Sequence, residues 1–510
     1  MYIRQRVTLK ASEPGKIQIQ QARKKRGWTI EDDRWLSQAA EIISRNGVKG
    51  AYVSLSSWRR FLQAKVRIEA DSFKAFCQVL GLSWEDVVEN TVDSNIDLSK
   101  APPLDSFYGR TKELAKLEHW LDERCRLIVV YGMGGIGKRA LTRQLVEKIS
   151  HKYDYLIWRS LESVAPFQDF CTELGQFLSK EQSNEITISQ LIQCLHQQKC
   201  LLVLDSWEEI TSNNSEDYGD YCDLLKRVAK ESHQSSLLLL SRETPRNLES
   251  LEGRFVRLQK LGSLSVEEAR EILIAEGLSG TPDKLEEFSQ RYSNPWILKR
   301  VAKMVHTVFA GEVSNFVDNT SVFIDNVITD FLDNQFKQLS ELEKKVIYWI
   351  AIRRNTASWH QLVEDKAQFL TYEQLFYTVD YLIQGRSLVN KNVEEKPIIY
   401  TVEPVILKYT TNRFVEETFQ QIIQVCKSQT IRSDELFITH SFITENTEDH
   451  ELTQQQTRRI IKSIQERLLA KFQSYQQVKN ELANILSLLE DKIFLHGYGR
   501  QNILSLLTLY

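Results

Sequence analysis

The sequence lacks the features that would place it among secreted, membrane or metal-binding proteins. Its seven cysteines form no Cys-x-x-Cys pair and its nine histidines are dispersed, so neither a disulfide framework nor a metal site is predicted. No apolar run approaches the roughly 20 residues that span a bilayer, and the N-terminus has no apolar region of the signal-peptide kind. These absences predict a cytoplasmic protein with reduced thiols and no membrane partner.

The chain also has no excess of basic charge. Its 65 lysines and arginines stand against 68 aspartates and glutamates, and this net charge of −3 excludes an overall basic nucleic-acid binder. The first 100 residues differ, because 17 basic residues there face 12 acidic ones. This N-terminal segment is therefore the part of the chain that is predicted to face a polyanion.

A glycine-rich segment between two periodic runs has the pattern Gly-x-x-x-x-Gly-Lys of a phosphate-binding loop. The run before it, 126–131, predicts a buried parallel strand, and the run after it, 140–149, has helical spacing. Glycines let several backbone N–H groups face a phosphate at a helix N-terminus. With a strand before and a helix after, a glycine-rich turn without a ligand is the weaker interpretation. The residues predicted to line the phosphate site are Gly132, Met133, Gly134, Gly135, Ile136, Gly137, Lys138, Arg139 and Ala140.

Further strand-like runs at 155–161, 201–205, 236–241 and, more weakly, 254–258 alternate with helical patterns, which predicts a parallel α/β sheet. Polar residues follow two of these runs, at the strand ends where such sheets bind nucleotides. Asp205 is predicted to hold Mg²⁺, and Arg242 to sense a γ-phosphate. Glu208, or its neighbour Glu209, is a candidate for polarising a water molecule. A surface arginine and a surface carboxylate are the alternative interpretations of Arg242 and Glu208.

The predicted fold is a multidomain α/β and α protein. In it, a P-loop parallel α/β domain is flanked by an N-terminal helical domain and by C-terminal helical and winged-helix domains. The predicted division is a helical, helix-turn-helix-like domain at 1–92, a linker at 93–106, the P-loop NTPase domain at 107–262, a helical domain at 263–325, a winged-helix domain at 326–415 and a helical extension at 416–510. Short strands are predicted at 387–390 and 397–402 within the winged-helix domain.

The N-terminal domain has two interpretations. Short helices that end at glycines are typical of a helix-turn-helix unit, in which the segment 53–62 would be the recognition-type helix. DNA contact would then fall to Arg59, Arg60 and Lys65. A small helical protein-interaction domain with a solvated basic face is the other interpretation.

Six motifs over residues 107–298 occur in the order found in the NB-ARC family of STAND-class P-loop NTPases, and the chain resembles that family. Phe107–Leu114 resembles the entry motif, Gly132–Ala140 the P-loop, 155–161 the second-strand motif, 201–207 the Walker B region, 238–242 the sensor strand, and Asn294-Pro295 the Gly-x-Pro-Leu segment. The resemblance implies a switch that binds ADP or ATP, with Phe107, Arg110 and Pro295 beside the nucleotide and self-association on activation. It also implies a role in bacterial signalling, regulation or defence.

Two departures from the family pattern stand out. Arg139 replaces the Ser or Thr whose hydroxyl ligates Mg²⁺, so Mg²⁺ binding is expected to be weakened and ATP hydrolysis slow or absent. Glu403-Pro404 replaces the His-Asp pair whose histidine contacts the ADP β-phosphate in plant and animal relatives.

Near the end of the chain, residues 497–504 resemble the junction that precedes a WD-repeat or similar sensor array in bacterial relatives. The chain is therefore expected to be a truncated relative or one whose sensor is encoded elsewhere. Two rival functions stay open: a DNA-binding regulator that uses residues 1–92 with a degenerate NTPase core, and an active ATPase of the AAA+ remodelling type.

Overall fold

The computed structural model describes residues 8–45, 53–64, 68–87, 95–103, 107–162, 166–180, 185–212, 217–354, 356–366, 368–444, 450–490 and 497–508. The chain divides into two compact units, Met1–Asp97 and Leu98–Tyr510. Within the described part, no helix is both long enough and apolar enough to cross a lipid bilayer.

The N-terminal unit is a small helical fold with short strands. Strands β1 (Thr8–Leu9) and β2 (Ile68–Glu69) pair in antiparallel fashion. The remaining elements are α1 (Glu13–Arg26), α2 (Arg34–Arg45), α3 (Leu55–Gln63), α4 (Ala70–Leu80), α5 (Trp84–Val87) and β3 (Ile96–Asp97).

An aromatic cluster forms the core of this unit. The indole rings of Trp35 and Trp58 stack with centroids 4.8 Å apart, and Phe76 lies 5.0 Å from Trp58. Each indole N–H is satisfied, because Trp35 donates to the carbonyl oxygen of Thr29 and Trp58 donates to that of Ile30. Aromatic pairs of this kind add to the stabilisation that their buried area already provides.

The second unit begins with an α/β region whose five parallel strands lie side by side in the order β5-β6-β7-β4-β8. The strands are β4 (Leu127–Tyr131), β5 (Tyr155–Ser160), β6 (Cys200–Asp205), β7 (Ser236–Ser241) and β8 (Val256–Lys260). Residues of β4, β6 and β7 are buried throughout, as continuous apolar runs predict for strands that are covered on both faces. The carboxyl ends of these strands therefore meet at one edge of the sheet.

Helices cover the two faces of this sheet. They are α6 (Thr111–Asp122), α7 (Lys138–Ile149) with a 3₁₀ turn at Ser150–Lys152, α8 (Phe167–Ser179), α9 (Ile188–Gln197), α10 (Glu208–Ser212), α11 (Tyr218–Lys230) and α12 (Arg246–Glu249). The predicted parallel α/β sheet is thus confirmed.

A long helical region follows the sheet. Its first helices are α13 (Val266–Ala275), α14 (Pro282–Arg291), α15 (Pro295–Phe309), α16 (Val313–Asn319), α17 (Asn326–Phe336) and α18 (Glu341–Ile352). Local sequence signals mark where several of them begin. Ser265 with Glu268, and Ser340 with Glu343, form reciprocal capping boxes.

A three-stranded antiparallel sheet, in the order β10-β11-β9, lies within the next segment. Its strands are β9 (Ala357–Ser358), β10 (Asn390–Asn392) and β11 (Ile399–Thr401), and its helices are α19 (Trp359–Lys366) and α20 (Tyr372–Asp380), the latter continued by a π-helical turn at Tyr381–Gly385. The strand expected at 387–390 begins only at its last residue. Ser387 has a φ of 55°, and the amides of Leu388 and Val389 both donate to the carbonyl oxygen of Leu382, so this stretch is a turn.

The remaining helices are α21 (Pro404–Ser428), α22 (Leu436–Thr439), α23 (His450–Gln456) with a π-helical turn at Thr457–Ile461, α24 (Lys462–Phe472), α25 (Tyr475–Leu488) and α26 (Gly499–Leu507). Helix α21 continues without a break across the predicted boundary between residues 415 and 416. One apolar core extends from Met133 in the glycine-rich loop to Leu506 in α26.

Candidate nucleotide-binding site

The glycine-rich loop 132–137 connects β4 to α7 and takes a shape that side chains would prevent. Gly135 has a φ of 72°, and a Cβ there would lie 2.8 Å from the Cβ of Trp296. Gly132 also has a positive φ, and its Cβ would collide with the carbonyl oxygen of Leu261. The loop therefore presents bare backbone at the N-terminus of α7, where amide groups and the helix dipole favour anions.

Lys138, the first residue of α7, lines the cavity beside this loop. Its Nζ donates to the carbonyl oxygens of Gly132, at 2.6 Å, and Met133, at 3.1 Å. Burial of the ammonium lowers the pKa of Lys138 to about 8, against the opposing effect of Glu208. A P-loop lysine approaches the β- and γ-phosphates from this place in the loop.

Arg139 forms an ion pair with Asp205 at the end of β6. The Nε of Arg139 lies 2.5 Å from Oδ2 of Asp205, whose side chain is 6% exposed. The guanidinium also donates through Nη2 to Glu162 and, at 2.8 Å, to Oγ of Ser206. Burial opposes charge on the guanidinium, but Glu162 and Asp205 together raise the pKa of Arg139. Burial raises the pKa of Asp205, and Arg139 opposes this effect.

The residues at this position do not fit Mg²⁺. A P-loop metal site uses a hydroxyl oxygen directly after the lysine and a carboxylate at the end of another strand of the sheet. Arg139 offers no oxygen, and its guanidinium engages Asp205. Thr142, one helical turn further on, is buried and does not line the cavity. In the described part of the chain, no group of three His, Cys, Asp or Glu side chains is placed to hold a metal ion.

Arg242 follows β7 directly and is fixed by Glu208, the first residue of α10. Its Nε lies 2.9 Å from Oε1 of Glu208, and its backbone N–H donates to Oε2 at 3.0 Å. Glu208 is 5% exposed, so the pair holds the strand end in a defined place. Both carboxylate oxygens of Glu208 thus face Arg242, which lies at the wall of the cavity.

The wall next to the loop comes from the helical region. Trp296 of α15 and Phe331 of α17 stack with ring centroids 4.3 Å apart and an interplanar angle of 25°. Together with Phe107 and Pro295, they line a cavity of about 470 Å³, and the loop lines the same cavity. Flat aromatic and proline surfaces beside a phosphate-binding loop suit the base and sugar of a nucleotide.

Three hydrogen bonds join this wall to the loop backbone. Nδ2 of Asn294 donates to the carbonyl oxygen of Gly134 at 3.0 Å, and the amide of Trp296 donates to that of Gly135 at 3.3 Å. The amide of Gly134 in turn donates to Oε1 of Gln335 at 3.1 Å. The loop is therefore bonded to both α15 and α17.

Most of the predicted site residues line this one cavity. They are Phe107, Gly134, Gly135, Ile136, Gly137, Lys138, Arg139, Ala140, Asp205, Glu208, Arg242 and Pro295. Gly132 and Met133 are not among the lining residues, since Gly132 bonds Lys138 and Met133 packs in the helical core. Arg110 is also outside the lining. It is 5% exposed and donates to Glu113 and to the carbonyl oxygens of Gly262 and Ser263.

Several lining residues had no sequence prediction. Trp296 follows the predicted Pro295 and could have been inferred from it, whereas Phe331 lies on a helix 35 residues further along the chain with no local signal. The others are Pro102, Pro103, Arg143, Glu162, Ser206 and Lys299.

The residues predicted for DNA contact lie in the N-terminal unit. Arg59 and Arg60 are exposed on α3, and Nη2 of Arg59 pairs with Oε1 of Glu31 at 2.6 Å. Lys65 lies outside the described residues. DNA contact stays a prediction.

A parallel sheet with a glycine-rich loop after one strand, a lysine opening the next helix and an acidic residue at the end of another strand defines a P-loop NTPase. Residues 110–273 match the sequence model of the NB-ARC domain. The chain therefore contains an NB-ARC domain over these residues, and the NB-ARC resemblance of its motifs is confirmed.

Comparison with individual proteins gives one curated relative and several solved structures. An uncharacterized WD repeat-containing protein of Nostoc sp. (strain PCC 7120) is 33% identical over 580 residues. The match covers 98% of this chain and 45% of that protein, so the chain spans less than half the length of this relative.

Two similar solved structures come from archaea. The Walker-type ATPase PABY2304 of Pyrococcus abyssi is 13% identical with a TM-score of 0.43, covering 60% of this chain and 96% of its own. The STAND protein with a tetratricopeptide repeat sensor from Pyrococcus horikoshii is 14% identical with a TM-score of 0.32, and the match covers 77% and 59% respectively.

Proposed function

We propose that this protein is a nucleotide-dependent switch that holds ADP in its resting state and changes conformation when ATP replaces it. The observation that carries the proposal is that one cavity is lined both by the P-loop and by Pro295, Trp296 and Phe331 of the helical region, with the loop backbone bonded directly to α15 and α17 beside it. A nucleotide in this cavity would contact the α/β region and the helical region at once. Such a ligand shifts a conformational equilibrium only if it binds the two states with different affinity.

The nucleotide would lie with its phosphates on the loop and its base against the apolar wall. Lys138 and the loop amides would bind the phosphates, while Phe107, Pro295 and Trp296 would flank the base and ribose. Arg242 would meet the γ-phosphate and so distinguish ATP from ADP. Hydrolysis would be slow or absent, because Arg139 occupies the carboxylate that would otherwise hold Mg²⁺.

The residue after Arg242 provides a route from the site to the helical region. Glu243 pairs through Oε2 with Nη1 of Arg386 at 2.5 Å and accepts a hydrogen bond from Tyr381 at 2.9 Å. Next to it, the amide of Thr244 donates to the carbonyl oxygen of Gly385 at 3.1 Å. A γ-phosphate that attracted and displaced Arg242 would therefore strain these contacts. A local change in charge can bias a two-state element in this way.

Glu403 stands where related switches have a histidine that contacts ADP. Its carboxylate bonds Ser263, burial raises its pKa, and it is not among the residues that line the cavity. We propose that the closed state relies on the loop contacts and the Glu243–Arg386 pair rather than on this position.

The proposal extends to cellular context. We place the switch in the cytoplasm, where its seven cysteines would stay reduced, in bacterial signalling, regulation or defence, with self-association after activation.

The proposal is tested by titrating purified protein with ADP and ATP in a calorimeter and repeating the titration with Lys138→Ala. The expected result is saturable binding of both nucleotides that the substitution weakens by about tenfold or more. A folded wild-type protein that binds neither nucleotide would reject the proposal.

A DNA-binding regulator that uses the N-terminal unit is the second candidate. The observation in its favour is that Arg59 and Arg60 are exposed on α3, whose Trp58 and Phe61 are buried. Retention on duplex DNA, compared at low and moderate salt, should fall steeply with salt and weaken in Arg60→Ala. A retention that neither salt nor the substitution changes would exclude this candidate, and the unit would then be a protein-contact domain.

A further inference from the structure

We propose that this site binds its nucleotide without a divalent metal, with Arg139 supplying the positive charge that Mg²⁺ supplies in other P-loop sites. The inference rests on the proposed nucleotide binding and adds the form of the ligand: a metal-free nucleoside diphosphate or triphosphate.

Arg139 is held in place by neighbours that leave part of its guanidinium available. Nε contacts Asp205, and Nη2 contacts Ser206 and Glu162. Among the described residues, none accepts a hydrogen bond from Nη1. The side chain is 46% exposed and lines the cavity, so Nη1 can donate two hydrogen bonds to phosphate oxygens from within it.

Carboxylates of the site face its arginines without a metal. Asp205 and Glu162 face Arg139, and Glu208 faces Arg242. Lys138 remains as the cation of the loop, so a bound diphosphate would meet positive charge from three side chains. Guanidinium groups bind phosphate through fixed N–H geometry and are always charged, which makes them suitable replacements for a metal ion at this place.

A magnesium ion would have to displace this arrangement. It would need the carboxylate of Asp205, and taking it would break an ion pair at a side chain that is only 6% exposed. The released guanidinium of Arg139 would then lie close to Mg²⁺ and to Lys138 in a partly desolvated cavity. Repulsion between positive charges is stronger there than in water. Breaking one side of a buried pair is costly in its own right.

The first test compares the affinity of the wild-type full chain for ADP in EDTA and in excess Mg²⁺ by calorimetry. The expected result is that ADP binds in EDTA at least as tightly as in Mg²⁺. Affinity in EDTA that is weaker by about tenfold or more, equivalent to ~1.4 kcal/mol, would overturn the inference but leave the proposed function intact. Absence of binding in both buffers would reject both.

The second test restores the hydroxyl with Arg139→Thr. This variant should bind ADP more weakly in EDTA than in Mg²⁺, reversing the wild-type order, because the built-in cation is gone and Asp205 is free to hold a metal. Arg227→Thr is the matched control, since Arg227 pairs with Glu231 on the surface of α11, and its two affinities should equal those of the wild type.

A spectroscopic readout supports these affinities without relying on the variant. Mn²⁺ is added to wild-type protein and ADP, and its electron paramagnetic resonance spectrum is recorded. The spectrum should equal that of Mn²⁺ mixed with ADP in the absence of protein. A stoichiometric protein-bound Mn²⁺ signal would overturn the inference.

Discussion

Two consecutive cations, Lys138 and Arg139, open helix α7 and differ in their surroundings. Burial lowers the pKa of Lys138 to about 8, whereas Glu162 and Asp205 keep Arg139 charged against its own burial. Lys138 therefore titrates near neutral pH, and Arg139 stays charged throughout the accessible pH range. The two side chains should thus contribute differently to the pH dependence of nucleotide binding.

ADP affinity is predicted to fall as the pH rises. In the free protein Lys138 loses its proton above pH ~8, but the charged form is the one that phosphate favours, so binding above this pH must take up a proton. The affinity should decrease about tenfold between pH 7 and pH 9. Calorimetry in two buffers of different ionisation enthalpy measures the proton uptake directly.

Lys138→Arg is the control for this pH effect, because an arginine keeps its charge and its residual affinity should not change over the same range. A wild-type affinity that is independent of pH, with no proton uptake, would contradict the assignment.

The phosphate side of the site was largely predictable from the residues themselves. Asp205 ends a buried apolar strand, Gly132–Ala140 and Arg242 each follow one, and parallel strands bring their carboxyl ends to one edge. The pairing of Arg139 with Asp205 was not predictable, because it depends on the distance between the start of α7 and the end of β6, and the two residues lie 66 positions apart in the chain.

At the scale of elements, the residue that caps the start of α15 also contacts the P-loop. Asn294 caps this helix by accepting from the amides of Trp296 and Ile297, and its Nδ2 holds the carbonyl oxygen of Gly134. One side chain thus sets both the start of a helix and its contact with the P-loop. Phe331 and Gln335 add α17 to the same loop, from a sequence region without any nucleotide-site signal.

Asn294→Ala should lower both the thermal stability and the affinity for ADP. Loss of the cap costs about 1 kcal/mol, and loss of the bond to Gly134 loosens the phosphate loop. The measurement is the unfolding temperature with and without ADP. Ser265→Ala removes a similar cap from α13, which in the described part of the chain has no hydrogen bond to the loop, so it should lower stability but keep the stabilisation by ADP. Equal losses of ADP stabilisation in both variants would contradict this role of Asn294.

The turn after α20 is the element through which the sensor strand meets the helical region. Glu243→Gln should speed amide hydrogen exchange of Thr244 and of residues 381–386. Removing the charge leaves Glu343 as the one carboxylate that pairs with Arg386 among the described residues, and it weakens the contact by about 1–3 kcal/mol.

Glu343→Gln is the matched variant for that experiment. It removes the other carboxylate on Arg386, 3.0 Å from Nε, but keeps the bond to the sensor strand. Exchange at Thr244 should then resemble that of the wild type. If both variants exchange alike at this amide, the pair does not link the two regions.

At the scale of the whole second unit, the P-loop and the helical region share one core. Met133 packs among residues that extend as far as Leu506, and α21 runs unbroken through 25 residues of this region. A change at the phosphate loop therefore acts on a continuous packed structure. The division into α/β and helical regions followed from periodicity, but the continuity of the core did not, since it comes from contacts between distant segments.

The central claim is that the closed site holds ADP without a metal. The most direct measurement is the small-molecule and metal content of freshly purified protein: nucleotide released by heat and separated by ion exchange, and Mg²⁺ counted in the same sample by mass spectrometry. The account predicts stoichiometric ADP with no matching Mg²⁺. Protein that is empty and binds neither ADP nor ATP when they are added would contradict it.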